Sequence, residues 1–217
     1  MPCAPPQNAG GMTEKLLIDE YLPVHEAHQL DAVVVDAPPD ATYRAVRDLD
    51  PDKVAQAVPL LRVLGRARAI PAAIADRIRG DTETPPESLP ADEYQAAFVL
   101  LDERPGTEFV VGMIGKFMTA TQLEFRRFEP GEFAGFDEPG YGKVALNFIV
   151  QPYGPGRTLL TTETRTATTD PLSRNRFARY WTVVGPFAGF IMRRWLRLAK
   201  RNAESAERDV VQPETQQ

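Results

Sequence analysis

The chain is expected to fold as an α+β domain, with helices gathered on one face of an antiparallel sheet. Three observations carry this expectation. Residues 94–167 contain five short strand-like runs separated by Gly/Pro turns, among them Arg104-Pro105-Gly106, Glu129-Pro130-Gly131 and Pro152-Tyr153-Gly154-Pro155-Gly156. Short strands punctuated in this way form antiparallel meanders. Residues 170–204 carry apolar and aromatic side chains every three or four positions, the pattern of a long amphipathic helix that needs an apolar surface to lie on. A β-branched run followed by helical patches precedes the meander.

Taken in order, residues 1–11 and 210–217 read as tails. Leu30 to Val35 is the first strand, ended by Ala37-Pro38-Pro39-Asp40. Ala41 to Arg47 follows as a helix with Tyr43 and Val46 facing inward. Asp52 to Leu64 is a second helix, bent at Pro59, and Ile70 to Ile78 a third helical patch. Asp81 to Pro90 is a surface loop rich in proline and acids. The meander strands are Tyr94 to Asp102, Glu108 to Phe117, Thr121 to Phe128, Lys143 to Gln151 and Thr158 to Ala167. Asp170 is a good N-cap for the last helix, and Pro171 sits at its first position, where no backbone N–H is missed. Its apolar stripe is Phe177, Tyr180, Trp181, Val184, Phe187, Ala188, Ile191, Trp195 and Leu198. Pro186 removes one intrahelical hydrogen bond and is expected to kink the helix or split it.

The 217 residues suffice for one sizeable domain or two small ones. The reading is a lead-in over 1–29, one domain over 30–204 and a tail over 205–217. Apolar content of 43% and charged content of 25% are ordinary for a soluble globular protein. The single cysteine, Cys3, excludes an internal disulfide framework and a cysteine-cluster metal site. There is no signal-peptide-like start, and no apolar run long enough to span a bilayer, so the cytoplasm is the expected compartment. The net charge is -5, yet Arg174, Arg176, Arg179, Arg193, Arg194, Arg197, Lys200 and Arg201 lie between Asp170 and Glu204 without one acid. A basic helix docked on an acidic body accounts for this asymmetry. An interaction module using the same helix against a membrane or partner is the alternative. Nucleic acid is not expected, because the acidic remainder would repel a polyanion.

The order of elements, the Glu163-Thr164-Arg165 strand, the Asp170-Pro171 helix start, the Tyr180-Trp181 pair and the Ala37-Pro38-Pro39-Asp40 segment resemble the START-like or Bet v 1-like superfamily, also called SRPBCC (polyketide cyclase-type). The resemblance runs from about Leu30 to Glu204. It implies a helix-grip: a curved antiparallel sheet wrapped around a long C-terminal helix, with a cavity between them. Members carry lipids, sterols, hormones or polyketides, and others are cyclases, aromatases or oxygenase subunits. Fold does not dictate function, so these remain expectations by analogy.

The residues themselves show no Gly-x-Ser-x-Gly elbow, no phosphate-cradling loop before a helix, and no cofactor motif. His25 and His28 flank Glu26 at a spacing one short of a zinc helix and lack a third ligand, so they read as exposed structural histidines. On one face lie Val144, Leu146, Phe148 and Val150; on a face of the hairpin strand lie Phe109, Val111, Met113 and Phe117. These are expected to meet Tyr180, Trp181, Val184 and Ile191. Glu163 and Arg165 alternate with threonines. They are read as facing outward, a solvated pair contributing about 0–1 kcal/mol. That leaves Leu160, Thr162 and Thr164 to line the cavity. Facing inward, they would orient a polar ligand group or move a proton. The expected function is binding of a small hydrophobic molecule, lipid or polyketide-like, without evident catalysis. A cyclase, aromatase or dehydratase using Tyr180, Glu163, Arg165 or Asn147 is the alternative, and both stay open.

Overall fold

A computed structural model describes residues 15–49, 97–116 and 124–211, except for the side chains at 183, 184, 186, 187 and 209–211. The helices expected over Asp52–Leu64 and Ile70–Ile78 fall outside the described residues, as does Phe117. The described elements are α1 (Ile18–Tyr21), β1 (Ala27–Val35), α2 (Pro39–Arg47), β2 (Val99–Arg104), β3 (Glu108–Lys116), β4 (Glu124–Arg126), a 3-10 turn (Pro130–Glu132), β5 (Gly142–Pro152), β6 (Thr158–Thr168) and α3 (Pro171–Val211). The strands form one sheet in the order β1-β6-β5-β3-β2, with β4 also on β3, and each pair is antiparallel. The long C-terminal helix packs against α2, β1 and β6. This is the α+β helix-grip arrangement. Its hairpins close where glycine supplies positive φ, at Gly106 (82°) between β2 and β3 and at Gly154 (77°) and Gly156 (65°) between β5 and β6.

β1 starts three residues before the expected Leu30. Residues Ala27 to Gln29 lack strand propensity, but their partners on β6 impose it: Ala27 pairs with Thr166, His28 with Arg165 and Gln29 with Thr164. Glu26 fixes the entry, its backbone N–H donating to Thr166 O at 2.8 Å while its carboxylate accepts from Thr168 N at 2.8 Å. Of the strand expected over Thr121–Phe128, residues 121–123 lie outside the described residues, Glu124–Arg126 is strand, and the chain leaves the sheet before Glu129-Pro130 opens the 3-10 turn.

Of the two outcomes expected at Pro186, a kink or a split, the split does not occur: α3 runs as one element through Gly185-Pro186. One missing backbone donor does not break a helix held at both ends. At the start, Asp170 accepts from Leu172 N (2.9 Å), Ser173 N (3.0 Å) and Ser173 Oγ (2.6 Å), and from Gly140 N across the domain (2.7 Å). Further along, Lys200 Nζ donates to Val34 O (2.7 Å) and Glu204 Oε1 accepts from Asp36 N (3.0 Å). The buried side of α3 also differs from the expected stripe. Among the described residues its fully buried apolar side chains are Phe177, Leu196, Ala199 and Ala203. The two alanines join Tyr43, Val46 and Leu49 in one core cluster, a close contact that larger side chains would prevent.

The hydrogen bonds from Ser173 and Gly140 hold the Asp170 carboxyl well below its ordinary value. The native state therefore favours the carboxylate, and the stabilisation is fully present above the unfolded pKa of about 4. It is lost as pH falls from there through the depressed native value. Asp170→Ala is expected to lower the thermal midpoint at pH 7, and the gap to the parent is expected to narrow steadily below pH ~4. Thermal melts from pH 7 to pH 2 check both.

Candidate functional site

Strand register builds the inner face of the sheet row by row. One row runs Asp31, Thr162, Phe148, Phe109. The next runs Gln29, Thr164, Leu146, Val111, Leu100. The third runs Ala27, Thr166, Val144, Met113. The first row is closed by rings. Phe109 stacks on Phe148 at 4.8 Å, Trp195 of α3 lies 5.7 Å from Phe148, and Tyr43 meets Phe109 edge-on at 5.9 Å. The third row is closed by Met113 and Phe177, with Tyr180 and Trp181 against them. Between these packed ends the middle row is different. Leu146 is buried, but Val111 and Thr164 on either side of it are only half-buried, as is Val144, two residues earlier on the same strand, in the third row.

Two unpartnered threonines lie on the same face, Thr162 in the first row and Thr164 in the middle one. Thr162 Oγ1 and Thr164 Oγ1 are buried without a hydrogen-bond partner among the described residues, and so is Trp195 Nε1 from the helix. Thr162 is 1% exposed. Native interiors rarely leave such groups unpaired, because each costs about 1–3 kcal/mol. At the β1 end of the first row stands Asp31, which accepts from Gln29 Nε2 (2.6 Å) and Arg193 NH1 (3.3 Å). α3 approaches β1 closely at Gly189, where a Cβ would stand 2.7 Å from Gln29 Nε2. One turn earlier Gly185 leaves room for the Trp181 indole, 3.1 Å from where a Cβ would be.

The structure thus brings Phe109, Val111, Met113, Leu146, Phe148, Leu160, Thr162 and Thr164 to one face, with Tyr180 and Trp181 of α3 packed beside Met113; Ile191 is half-buried on the same helix. Phe117 and the Val184 side chain lie outside the described residues. Trp195 belonged to the expected helical stripe, yet its contact with Phe148 was not legible, since rotation of a helix on a sheet is set by tertiary packing. A second group was missed altogether. Glu103, on the inner side at the end of β2, accepts a very short hydrogen bond from the Tyr43 hydroxyl and one of 3.1 Å from Arg47 Nε. Burial first, and then the Glu103 bond, hold the Tyr43 phenol far above its ordinary value. These bonds tie α2 to β2.

Asn147, Glu163 and Arg165 are on the opposite face, and here the sequence expectation needs correcting. The pair faces outward as anticipated, but it is not solvated: Glu163 is 6% and Arg165 8% exposed. Residues 15–22, expected only to lead in, cover this face. Leu17, Ile18 and Leu22 form a second core with Val110, Ile114, Phe133 and Ala145. Arg165 then donates to Glu163 Oε1 (2.7 Å), Asp19 Oδ1 (2.7 Å) and Leu22 O (3.2 Å). Beside it, Glu108 accepts from Leu17 N (2.8 Å), Asn147 Nδ2 (2.6 Å) and Arg104 NH1 (2.7 Å). These groups seal the N-terminal segment onto the sheet and are removed from its inner face. His28 is tied to the same cluster, its Nε2 lying 3.1 Å from Glu163 Oε1. Among the described residues no cluster of His, Cys, Asp and Glu could hold a metal ion. An open hollow of about 800 Å³ lies beside the 3-10 turn, between Arg126, Phe128, Glu132, Phe136 and Glu138. None of its lining belongs to the inner face, and its charges are of mixed sign.

No protein-family model matches the chain, and no curated protein sequence matches it. Solved structures do resemble it at low identity. A conserved protein from Geobacillus kaustophilus is 8% identical, with a TM-score of 0.40 over 83% of this chain and 97% of the other. The Zhui aromatase/cyclase from Streptomyces sp. R1128 is 16% identical, with a TM-score of 0.33 over 82% and 93%. A Thermus thermophilus protein, TTHA0849, is 10% identical, with a TM-score of 0.30 over 83% and 99%. Scores this low bear on neither ligand nor reaction. Among the described residues, no helix is long and apolar enough to cross a membrane.

Proposed function

We propose that the chain binds a small hydrophobic molecule with a polar end, lipid or polyketide-like, between the inner face of the sheet and α3, and does not transform it. The observation that carries this reading is the coincidence, on the inner face, of incompletely buried apolar side chains with unpartnered polar ones. Half-buried Val111 and Val144 flank Leu146, while the hydroxyls of Thr162 and Thr164 and the indole N–H of Trp195 are buried without partners among the described residues. An apolar body with a carbonyl, carboxyl or hydroxyl end satisfies both, accepting from Trp195 and exchanging hydrogen bonds with the threonines. The cyclase-type alternative loses three of its four named groups, because Asn147, Glu163 and Arg165 lie across the sheet.

Native mass spectrometry of gently purified protein, followed by extraction, tests the reading. The expected result is a small-molecule adduct that disappears in Val111→Trp, which fills the middle row. A clean unliganded mass, together with no binding across a hydrophobic library, overturns it. Thr164→Val provides a finer test. Removing an unpartnered buried hydroxyl is expected to leave stability within about 0.5 kcal/mol or raise it, while affinity for a polar-ended ligand falls roughly tenfold. Urea unfolding and ligand titration read the two effects separately.

A further inference from the structure

The basic C-terminal helix docks on acids with only part of its charge. Arg174 reaches Glu26 (2.9 Å), Arg193 reaches Asp31 (3.3 Å), and Lys200 reaches Glu204 (2.6 Å) and Asp36 (3.5 Å). Arg176, Arg179, Arg197 and Arg201 do none of this. They are exposed, and no ion pair joins any of them to a carboxylate among the described residues. At 100° per residue these four fall on one line down α3, opposite Trp181, Leu196, Ala199 and Ala203. The line from Arg176 to Arg201 is roughly 37 Å long at 1.5 Å per residue. Two large apolar side chains share it: Phe190, 41% exposed, and Leu172, 58% exposed. No acid occurs on α3 before Glu204.

We propose that this solvent-facing line of α3 is a docking surface for anionic lipid, lying on the membrane in the plane of the head groups. Four guanidiniums match phosphate and carboxylate head groups spread over a plane, and Phe190 and Leu172 enter the boundary between head groups and acyl chains. An isolated row of cations would suit any polyanion. The exposed aromatic and aliphatic side chains within the row select a surface with an apolar interior. The acidic remainder of a chain of net charge -5 opposes wrapping by nucleic acid. This surface is separate from the inner space of the sheet, so it stands whether or not that space holds a ligand.

The test is sedimentation of the full chain with vesicles of phosphatidylcholine containing roughly 30% phosphatidylserine, in roughly 20 mM salt, where surface charge is little screened. Binding is expected, and it is expected to vanish in about 0.5 M salt. Each arginine contributes about fivefold to partitioning, so Arg179→Gln, Arg197→Gln and Arg201→Gln together lower it roughly a hundredfold. Phe190→Ser is expected to lower it a further several-fold. The four positions are exposed, and an unchanged circular dichroism melt shows that the variants remain folded. No sedimentation at low salt overturns the proposal, as does equal binding by the triple variant. Binding to a DNA duplex of about three helical turns with no binding to the vesicles also overturns it.

Discussion

Arg165→Met is expected to destabilise the fold by about 3–5 kcal/mol, the cost of leaving one member of a buried ion pair alone. Both side chains are nearly inaccessible, at 10% and 8% exposure. The guanidinium satisfies Glu163, Asp19 and the Leu22 carbonyl together. Without it, Glu163 keeps, among the described residues, His28 at 3.1 Å, and the segment carrying Leu17, Ile18 and Leu22 loses its polar clamp. Replacing both members by apolar groups removes the buried charge as well as its partner. The double variant Glu163→Leu/Arg165→Met is therefore expected to recover at least about 2 kcal/mol of the loss. Urea unfolding of the two singles and the double closes the cycle. A single-variant effect below about 1 kcal/mol would mean that the pair is solvated and the cover over it is loose.

Phe148→Ala is expected to cost a similar amount, about 3–5 kcal/mol, through a different mechanism. Phe148 is 2% exposed and touches two other rings, Phe109 at 4.8 Å and Trp195 at 5.7 Å. Its deletion removes the transfer free energy of the ring and leaves a void, since the surrounding β5, β3 and α3 positions cannot collapse into it. The half-buried Val111, one row away, is expected to cost under about 1.5 kcal/mol on truncation to alanine. Comparing the two unfolding midpoints distinguishes a packed end from an incompletely filled middle. Equal losses would describe a uniformly filled interior.

The contrast between rows explains what could be read from the sequence. Strand alternation grouped Leu146 with Phe148, Phe109 with Val111, and Thr162 with Thr164 without any coordinates, because side chains on a strand have a strict period of two; which face of β6 looks inward stayed open. The hairpin turns and the Asp170-Pro171 helix start were legible for the same local reason, with turn and cap chemistry written in adjacent residues. Contacts between segments far apart in sequence were not. Nothing in Leu17, Asp19 or Leu22 announces that they cover Arg165 and Glu163, which lie far later in the chain. Nor does Glu103 announce its bond to Tyr43. Pro186 does not split the helix because the local cost of one lost backbone bond is offset by the anchors at Asp170, Lys200 and Glu204, which are tertiary. The uncovered arginines of α3 show the limit in reverse. Their abundance was obvious, but which of them meet acids depends on how the helix is rotated on the sheet.

The most direct measurement of the central claim is a set of methyl NMR spectra recorded while fatty acids, sterols and aromatic polyketide-like compounds are added in turn. At least one compound is expected to shift the methyl signals of Val111, Val144, Leu146 and Thr164, while those of Val110, Ile114, Leu17 and Ile18 on the other side of the sheet stay in place. Shifts confined to the outer face, or no shift at Val111 and Leu146 with any compound, would contradict a ligand held between the sheet and its long helix.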